Sequence, residues 1–246
     1  MNNNHATKPA HCDRHGAFTA TEFLRGRWTT CSQCHTENEA QRAADLEARR
    51  RAERLQRNMD QSGLVGRSAA AAFDAYTTCT PEQLAIREMC RGYAEGFGDA
   101  PQPTPWLIGR PGTGKTHLAA AICRHLMEAK ELPARMHSAR QIVRMLRATW
   151  DRQTRQTTED ELLDELIRVP LLVIDEVGVG FGGEAEQVQL LDVVDGRYQR
   201  ELPTMVLSNL PPNEIKAAVG DRIFDRLREG ARVHVLNWPS HRGAAQ

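Results

Sequence analysis

The stretch GRPGTGKT, Gly109 to Thr116, combines residue types and a spacing that suit the binding of a phosphate chain. It matches the pattern G-x-x-x-x-G-K-[ST], between the strand-like WLI and the helical HLAAAICRHLMEA. Glycines let backbone N–H groups turn toward one anion, while the lysine reaches the outer phosphates and the hydroxyl coordinates Mg²⁺. We therefore predict that the ligand is held by the following residues: Gly109, Pro111, Gly112, Thr113, Gly114, Lys115, Thr116 and His117.

Two further stretches carry polar residues at the ends of apolar runs. In LLVIDE, four apolar residues precede Asp175 and Glu176. We predict that Asp175 holds Mg²⁺ together with Thr116, and that Glu176 orients and polarises an attacking water. In TMVLSNL, Asn209 is predicted to contact the terminal phosphate and that water, with a simple turn-forming role as the alternative. Together with Lys115, these residues would form a hydrolytic site.

A cysteine cluster lies near the start of the chain. Cys12 and His15 form one close pair, Cys31 and Cys34 form a second, and 15 residues separate the two pairs. Each pair can bind one side of a tetrahedral ion, and three cysteines with one histidine are a regular structural zinc set. The alternatives are a disulfide, which a reducing compartment disfavours, and unliganded thiols. Zinc is the leading interpretation.

Two details of this cluster stay open at the level of sequence. His11 and His35 adjoin the cysteines and could replace His15 as the fourth ligand. A module this small also needs other support, and we expect three aromatic residues to form a miniature core: Phe18, Phe23 and Trp28.

The composition bounds the class of protein. Lys and Arg number 32 and so do Asp and Glu, so that any basic surface must be local, and the apolar fraction of 40% can build a core. No apolar run approaches the roughly 20 residues of a membrane span, and MNNNHATKPA has no apolar stretch like that of a signal peptide. We therefore expect a cytoplasmic protein with no membrane partner.

Strand-like and helical segments alternate from about residue 100 onward. The strand-like runs are Trp106–Ile108, Arg135–His137, Leu171–Ile174, Thr204–Ser208 and Arg232–Leu236. Between them lie helical stretches near 115–130, 138–150, 158–168, 185–200 and 213–229, and a further helix near 81–96 precedes the first strand. This alternation predicts an α/β fold in which helices flank a parallel five-stranded sheet.

The chain is predicted to have three parts. Residues 1–36 form the zinc module, residues 37–61 a helical stalk, and residues 62–246 the α/β domain. The segment 37–60 contains no Gly or Pro, and its acid-to-arginine pairs at a spacing of four favour a solvated helix. An exposed linker is slightly favoured over a helix that binds a partner.

These motifs and their order resemble the AAA+ P-loop ATPases of the DnaC-type helicase loader and IstB-type transposition helper group. The resemblance covers about residues 62–242 and rests on GRPGTGKT, LLVIDE, SNL, GDRIFDRLREG and WPSHR, with PGTGKTHLAAAI closest to the DnaC side. It implies an ATPase that uses ATP and Mg²⁺ and whose rate of hydrolysis is low without its partners. It also implies that Phe73 and Tyr76 lie near the adenine pocket.

The resemblance further implies roles for three arginines. Arg226 in FDRL would be an arginine finger that acts on the nucleotide of a neighbouring subunit, so that the chain self-associates. Arg222 in GDR is the substitute candidate, and Arg242 in SHR would be a sensor arginine within its own subunit. From the residues alone, ion pairs with Asp225 and Glu229 are the alternative.

A basic helix face is predicted within MHSARQIVRMLRATW. Ser138 is a suitable N-cap, and Arg140, Arg144 and Arg147 then fall on one face. Aligned arginines can follow a phosphate backbone, and the resemblance implies that this helix grips single-stranded DNA. A solvated amphipathic helix is an equal alternative.

Three functions are compatible with these features. The first is a loader that places a replicative ring helicase on single-stranded DNA, with ATP binding and hydrolysis as the switch and the zinc module as its docking head. The second is an IstB-type transposition helper. The third is an ATP-gated adaptor whose hydrolysis is incidental. The DnaC-like sequence around the phosphate loop that begins at Gly109 favours the first function.

Overall fold

The chain forms two compact units, residues 1–54 and residues 55–246. A computed structural model describes residues 6–151, 157–180 and 183–241.

The first unit contains a small antiparallel sheet of three strands in the order β1-β2-β3. The strands are β1 Thr7–Cys12, β2 Gly16–Leu24 and β3 Arg27–Trp28. The expected aromatic core is only partly present, since the Phe23 side chain is 55% exposed. Trp28 instead packs under Lys8, whose Nζ lies 4.3 Å from the ring centroid. The prediction of a miniature core was therefore wrong for Phe23, which lies next to the last residue of β2.

A long helix, α1 Ser32–Gln61, follows the small sheet. It begins five residues before the predicted start at 37, so that it includes Cys34. The helix buries no residue along its length, as its charged sequence predicts. Near its end, Leu55 and Met59 pack against the core of the second unit. Nowhere in the described ranges is there a helix both long and apolar enough to cross a membrane.

The second unit is built on a parallel sheet of five strands in the order β5-β6-β7-β4-β8. The strands are β4 Thr104–Gly109, β5 Ala134–Ser138, β6 Leu171–Asp175, β7 Thr204–Ser208 and β8 Ala231–Leu236. The predicted parallel five-stranded sheet is confirmed. Its order places β7 between β4 and β6, although β7 comes later in the chain.

Helices cover both faces of this sheet, as predicted. They are α2 Pro81–Glu95, α3 Lys115–Ala129, α4 Ala139–Ala148, α5 Glu159–Arg168, α6 Glu184–Tyr198, α7 Pro212–Val219 and α8 Asp221–Arg228. The single helix expected at 213–229 was wrong, because Gly220 interrupts it with φ of 84° and ψ of 160°. That conformation is readily available only to glycine, and the polypeptide changes direction there.

The core consists of two apolar layers, one on each side of the sheet. Alternate strand residues contribute to opposite layers, as a pleated strand requires. Leu107 and Val173 belong to the layer under α2 and α3, whereas Trp106 and Ile174 belong to the layer under α4 to α8. The continuous apolar run of β6 follows directly from this double burial.

Candidate functional site

The GRPGTGKT stretch forms a tight loop between β4 and α3. Gly112 and Gly114 have φ values of 83° and 92°, which favour glycine. The Lys115 side chain is buried, and its Nζ donates to the carbonyl oxygens of Gly109 at 2.7 Å and Arg110 at 2.9 Å. The loop therefore presents backbone N–H groups, a lysine and the start of α3 at one place, as phosphate binding requires.

Two aromatic side chains brace this loop through one carbonyl oxygen. The Tyr76 hydroxyl donates to the Thr113 oxygen at 3.1 Å, and the Trp238 indole N–H donates to the same oxygen at 3.0 Å. The contact is close, because a Cβ added at Gly114 would overlap the Tyr76 ring. Burial raises the pKa of the Tyr76 hydroxyl to about 12, so it remains a hydrogen-bond donor at neutral pH.

The segment 238–241 also contacts the loop directly. The His241 backbone N–H donates to the Gly112 oxygen at 3.0 Å, and a Cβ at Gly112 would overlap the Ser240 hydroxyl oxygen. The His241 ring in turn lies 3.4 Å from the Gln83 amide nitrogen. The sequence interpretation missed these bracing roles of Trp238, Ser240 and His241. Their signal was the position of WPSH directly before the predicted sensor arginine.

His117 makes a different contact from the other loop residues. Its ring Nε2 lies 2.8 Å from the Ala72 oxygen, and the neighbouring Ala71 oxygen accepts from Arg124 at 3.2 Å. Both side chains project from α3, so they hold the segment that leads to Tyr76 against this helix. A direct contact of His117 with the cofactor stays a prediction.

The acid pair lies at the carboxyl end of β6. The Thr116 hydroxyl donates to Asp175 Oδ2 at 3.0 Å, and the Glu176 backbone N–H donates to Oδ1 at 2.7 Å. Burial raises the pKa of the Asp175 carboxyl, while the two hydrogen bonds oppose that shift. The Thr116 hydroxyl and the Asp175 carboxylate thus meet at one point. They are hard oxygen donors of the type that Mg²⁺ prefers.

Glu176 is held in an unusual backbone conformation. Its φ is 56°, in the left-handed region that few non-glycine residues adopt, and its side chain is exposed. The turn that follows is fixed to β7, because the Val177 N–H donates to the Leu207 oxygen at 3.1 Å and the Ser208 hydroxyl donates to the Val177 oxygen at 2.7 Å. Such strain is common at functional positions.

Asn209 follows β7, which lies between β4 and β6. Carboxyl ends of parallel strands meet at one edge of a sheet, so that Asn209 comes between the phosphate loop and the acid pair. Its side chain is exposed. The residues at this edge fit a nucleoside triphosphate with Mg²⁺: Lys115 would neutralise phosphate charge, and Thr116 with Asp175 would hold the ion. The ion supplies charge neutralisation at the phosphoryl oxygens when it is bound.

The predicted finger arginine makes contacts within its own chain. The Arg226 Nε–H donates to Asp195 Oδ1, and its Nη1 donates to the Arg222 backbone oxygen at 3.1 Å. The guanidinium carbon lies 5.7 Å from the centre of the Tyr198 ring. The Arg222 side chain is exposed, and it has no hydrogen bond or ion pair with any residue that the structure describes. Arg242 lies outside the described residues.

Arg226 lines a cavity of about 700 Å³ at the amino-terminal ends of the strands, opposite the ends that carry the phosphate loop and the acid pair. Residues at the starts of the strands line the same cavity, among them Thr104, Pro170, Thr204 and Gly230. The phosphate loop follows the other end of β4, which is five residues from Thr104 along the strand, or roughly 17 Å. Arg226 is therefore remote from the phosphate loop of its own chain, and this cavity is distinct from the nucleotide site.

The predicted basic face lies on α4. Ser138 caps the helix, since its hydroxyl accepts from the Gln141 N–H at 3.2 Å. The three arginines are exposed, but two of them contact their own chain. Arg140 donates to the Gly180 oxygen at 3.0 and 2.6 Å, and Arg147 donates to Gln189 at 3.2 Å. Arg144 has no partner among the described residues, so it is the most available of the three.

The cysteine cluster is assembled in the first unit. Ligand atoms of Cys12, His15, Cys31 and Cys34 all lie within 4.8 Å of one another. The three sulfurs lie 3.3 to 3.7 Å from His15 Nδ1, and the Cys12 and Cys34 sulfurs are 3.4 Å apart. Tetrahedral zinc, with Zn–S of about 2.3 Å, places its ligand atoms about 3.5–3.8 Å apart. The arrangement therefore fits a zinc ion.

The surroundings of the cluster favour a metal-binding state. His15 Nε2 lies 2.9 Å from Glu37 Oε1, a carboxylate–histidine contact of the kind that orients ligating imidazoles. The Arg14 backbone N–H, with the Cys34 thiol, lowers the pKa of Cys12 to about 6, while the hydrogen bond with Cys12 raises the pKa of Cys34 to about 11, so Cys12 is the first of the two to form the thiolate that binds metal. His35 lies outside the cluster and contacts Glu39 instead. The structure thus brings His15, rather than His11 or His35, to the cysteines.

Comparison with known proteins gives a family for this architecture. The sequence profile described as "IstB-like ATP binding protein" matches residues 42–242. The chain belongs to this family. Among curated members of the IstB-like group, the replicative helicase loader DnaC of Escherichia coli (strain K12) is 34% identical over 207 residues, which are 84% of this chain and 83% of DnaC. DnaC of Buchnera aphidicola (strain APS, from Acyrthosiphon pisum) is 31% identical over 195 residues, 78% of this chain and 77% of the relative.

Solved structures show the same fold as this IstB-like protein. The crystal structure of the DnaC helicase loader superposes with a TM-score of 0.61 at 19% identity and covers 70% of this chain and 99% of its own. The DnaI structure gives 0.60 at 20% identity, with 75% and 98% covered. The replication initiator DnaA bound to AMPPCP and single-stranded DNA gives 0.55 at 23% identity, with 69% and 50% covered. The predicted AAA+ P-loop fold is confirmed, and so is the resemblance to the group of DnaC-type and IstB-type ATPases that the motifs indicated.

Proposed function

We propose that this protein is an ATPase that loads a replicative ring helicase onto single-stranded DNA. One observation carries the proposal: the residues of a nucleotide switch converge at one edge of a sheet in a chain that is 34% identical to a replicative helicase loader over most of its length. ATP binding is supported by the family and by the phosphate loop.

The placement of each side chain supports the proposed hydrolytic roles. Lys115 holds the outer phosphates, and Thr116 and Asp175 hold Mg²⁺ between them. Glu176 orients and polarises the attacking water, while Asn209 contacts the terminal phosphate from the neighbouring strand. Since Asn209 and the acid pair lie on adjacent strands, loss of the terminal phosphate can be transmitted to the turn after β6. This coupling makes ATP state the switch.

Arg226 completes the site of a neighbouring subunit in this proposal. Its position at the edge of the sheet opposite its own phosphate loop supports action in trans rather than in cis. A cation aimed at the transferring phosphoryl oxygens stabilises the charge that develops there. Self-association is therefore required for full activity. Arg242 would act as the sensor within its own subunit, and Arg222 is the alternative finger.

The remaining parts serve the two macromolecular partners. Arg144, with Arg140 and Arg147, contacts the backbone of single-stranded DNA. Cys12, His15, Cys31 and Cys34 hold a zinc ion that gives the first unit a stable fold, and this unit docks on the helicase. The long α1, with its exposed charges, contributes to the same contact.

The proposal is tested by co-purification of the full chain with the replicative ring helicase of its own organism, with and without ATP. We expect a complex whose stability depends on ATP, and we expect Glu176→Gln to bind ATP and helicase but to hydrolyse ATP much more slowly. Wild-type hydrolysis rates in the Glu176→Gln variant would contradict the assigned site. If loading proceeds equally well in that variant, the chain is an ATP-gated adaptor rather than a hydrolytic switch.

A second function is favoured by the description of the family profile, which names the IstB-like group. An IstB-type helper would remodel DNA for a transposase instead of binding a ring helicase. Stimulation of DNA strand transfer by a transposase encoded beside this chain, together with no binding to the helicase, would select this function.

A further inference from the structure

A cluster of four side chains joins α6 to α8 around the proposed finger. Asp195 and Tyr198 project from the last turns of α6. Arg226 projects from α8, and Glu229 is the C-cap residue of α8. Asp195 forms an ion pair with Arg226 in which the two side chains are 31% and 32% exposed. Tyr198 places its ring 5.7 Å from the guanidinium and donates its hydroxyl to Glu229 at 2.8 Å.

These contacts engage one side of the guanidinium and leave the other side open. Arginine has five N–H donors in a planar fork. The Nε–H is directed to Asp195, and Nη1 is directed to the Arg222 oxygen. Within the described ranges, Nη2 has no hydrogen-bond acceptor. An arginine fixed at one edge and open at the other is suited to reach an anion outside its own chain.

We propose that Asp195 is a positioning residue that holds Arg226 in the orientation required to reach the nucleotide of a neighbouring subunit. This inference rests on the proposed trans action of Arg226. A long arginine side chain samples many rotamers, and fixing it before the subunits meet removes an entropic cost from the reactive arrangement. Asp195 is close enough to do this, and Tyr198 restricts the guanidinium from one face.

The inference makes Asp195 act in the subunit that donates the finger, not in the subunit that hydrolyses ATP. It can therefore be tested by mixing two inactive variants of the full chain in the presence of single-stranded DNA. Arg226→Ala subunits keep an intact nucleotide site but lack a finger. Glu176→Gln subunits keep a finger but lack the residue that activates water. Hydrolysis by the mixture requires that a finger act across the interface.

The decisive variant carries Glu176→Gln and Asp195→Ala in the same donor subunit. We expect this donor to lower the kcat of the mixture by about tenfold, while the KM for ATP, set by the other subunit, stays unchanged. Asp192→Ala is the matched control, since Asp192 is exposed on the same helix and carries the same charge. A donor with Asp192→Ala should support the full rate. Asp195→Asn keeps the size of the side chain but removes the charge that holds the Arg226 guanidinium, so a folded donor with this change should also lose most of the rate.

The outcomes separate this inference from the proposed function. If the mixture of Arg226→Ala and Glu176→Gln subunits does not hydrolyse ATP, the trans action of Arg226 is wrong, and the inference fails with it. If that mixture is active but the Asp195→Ala donor supports an equal or higher rate, the inference alone is wrong. A fall in rate that is caused by unfolding is detected as a lower melting temperature of the Asp195→Ala donor. In that case Asp195→Asn decides, and a tenfold loss of rate with this folded variant supports the inference. A full rate with both variants overturns the inference.

Discussion

Arg197 offers a test of how the second unit is held together. The side chain is fully buried in the described structure, and no carboxylate pairs with it. Instead it donates to carbonyl oxygens that precede two strands, β6 and β7: Leu166 at 2.8 Å, Ile167 at 3.1 Å, Val169 at 2.8 Å and Pro203 at 2.7 Å. Its Nε also donates to the Thr204 hydroxyl at 3.0 Å. One cation thus joins the segment before β6 to the segment before β7.

The magnitude of its contribution follows from these contacts. Burial lowers the pKa of the Arg197 guanidinium to about 9, so it is still charged at neutral pH and all its donor groups are in use. Arg197→Met keeps the length and apolar stem of the side chain but leaves the carbonyl oxygens without a donor. Each buried carbonyl left unsatisfied costs about 1–3 kcal/mol. If two of them cannot turn to water, the free energy of unfolding falls by about 4 kcal/mol.

Thermal and urea denaturation measure this effect. For a unit of this size, a loss of about 4 kcal/mol corresponds to a fall in Tm of about 8–16 °C. Arg200→Met is the control, because Arg200 lies three residues away and is exposed, and its side chain donates to the Gly196 oxygen of α6 at 2.9 Å. A Tm for Arg197→Met within 2–3 °C of wild type, or equal losses in both variants, would refute the reasoning.

Three further outcomes are expected. Elemental analysis should give about one zinc per chain, lost in the Cys31→Ser, Cys34→Ser variant; zinc retained in that variant would contradict the ligand set. Arg144→Glu should flatten the salt dependence of single-strand binding, by about 0.7 in the slope of log K against log salt for one lost phosphate contact; an unchanged slope would favour a merely solvated helix. Tyr76→Phe should weaken ATP binding about fivefold, because one of two hydrogen bonds to Thr113 is lost; unchanged affinity by calorimetry would show that the Trp238 bond suffices.

Much of the fold could be predicted because its signals are local. The apolar run of β6 and the glycine pattern before Lys115 each specify their own conformation from neighbouring residues. The break at Gly220 was missed because glycine within a helical pattern is often tolerated, and only its φ of 84° shows that the chain turns there.

The contacts around the phosphate loop could not be predicted in the same way. Tyr76 and Trp238 are 37 and 125 residues from Thr113 in sequence, and both donate to its carbonyl oxygen. The contact between Asp195 and Arg226 likewise joins residues 31 positions apart. Such pairings depend on how helices pack on the sheet, which periodicity along one segment does not encode.

The central claim, ATP-dependent loading of a ring helicase, is tested most directly on closed circular single-stranded DNA. A closed ring cannot thread onto a circle that has no ends unless the protein ring is opened. With this protein and ATP, the account predicts that the replicative helicase becomes bound to the circles, and that the Lys115→Ala variant leaves them bare. Helicase loading that is equal with and without this protein, or equal with wild type and Lys115→Ala, would contradict the account.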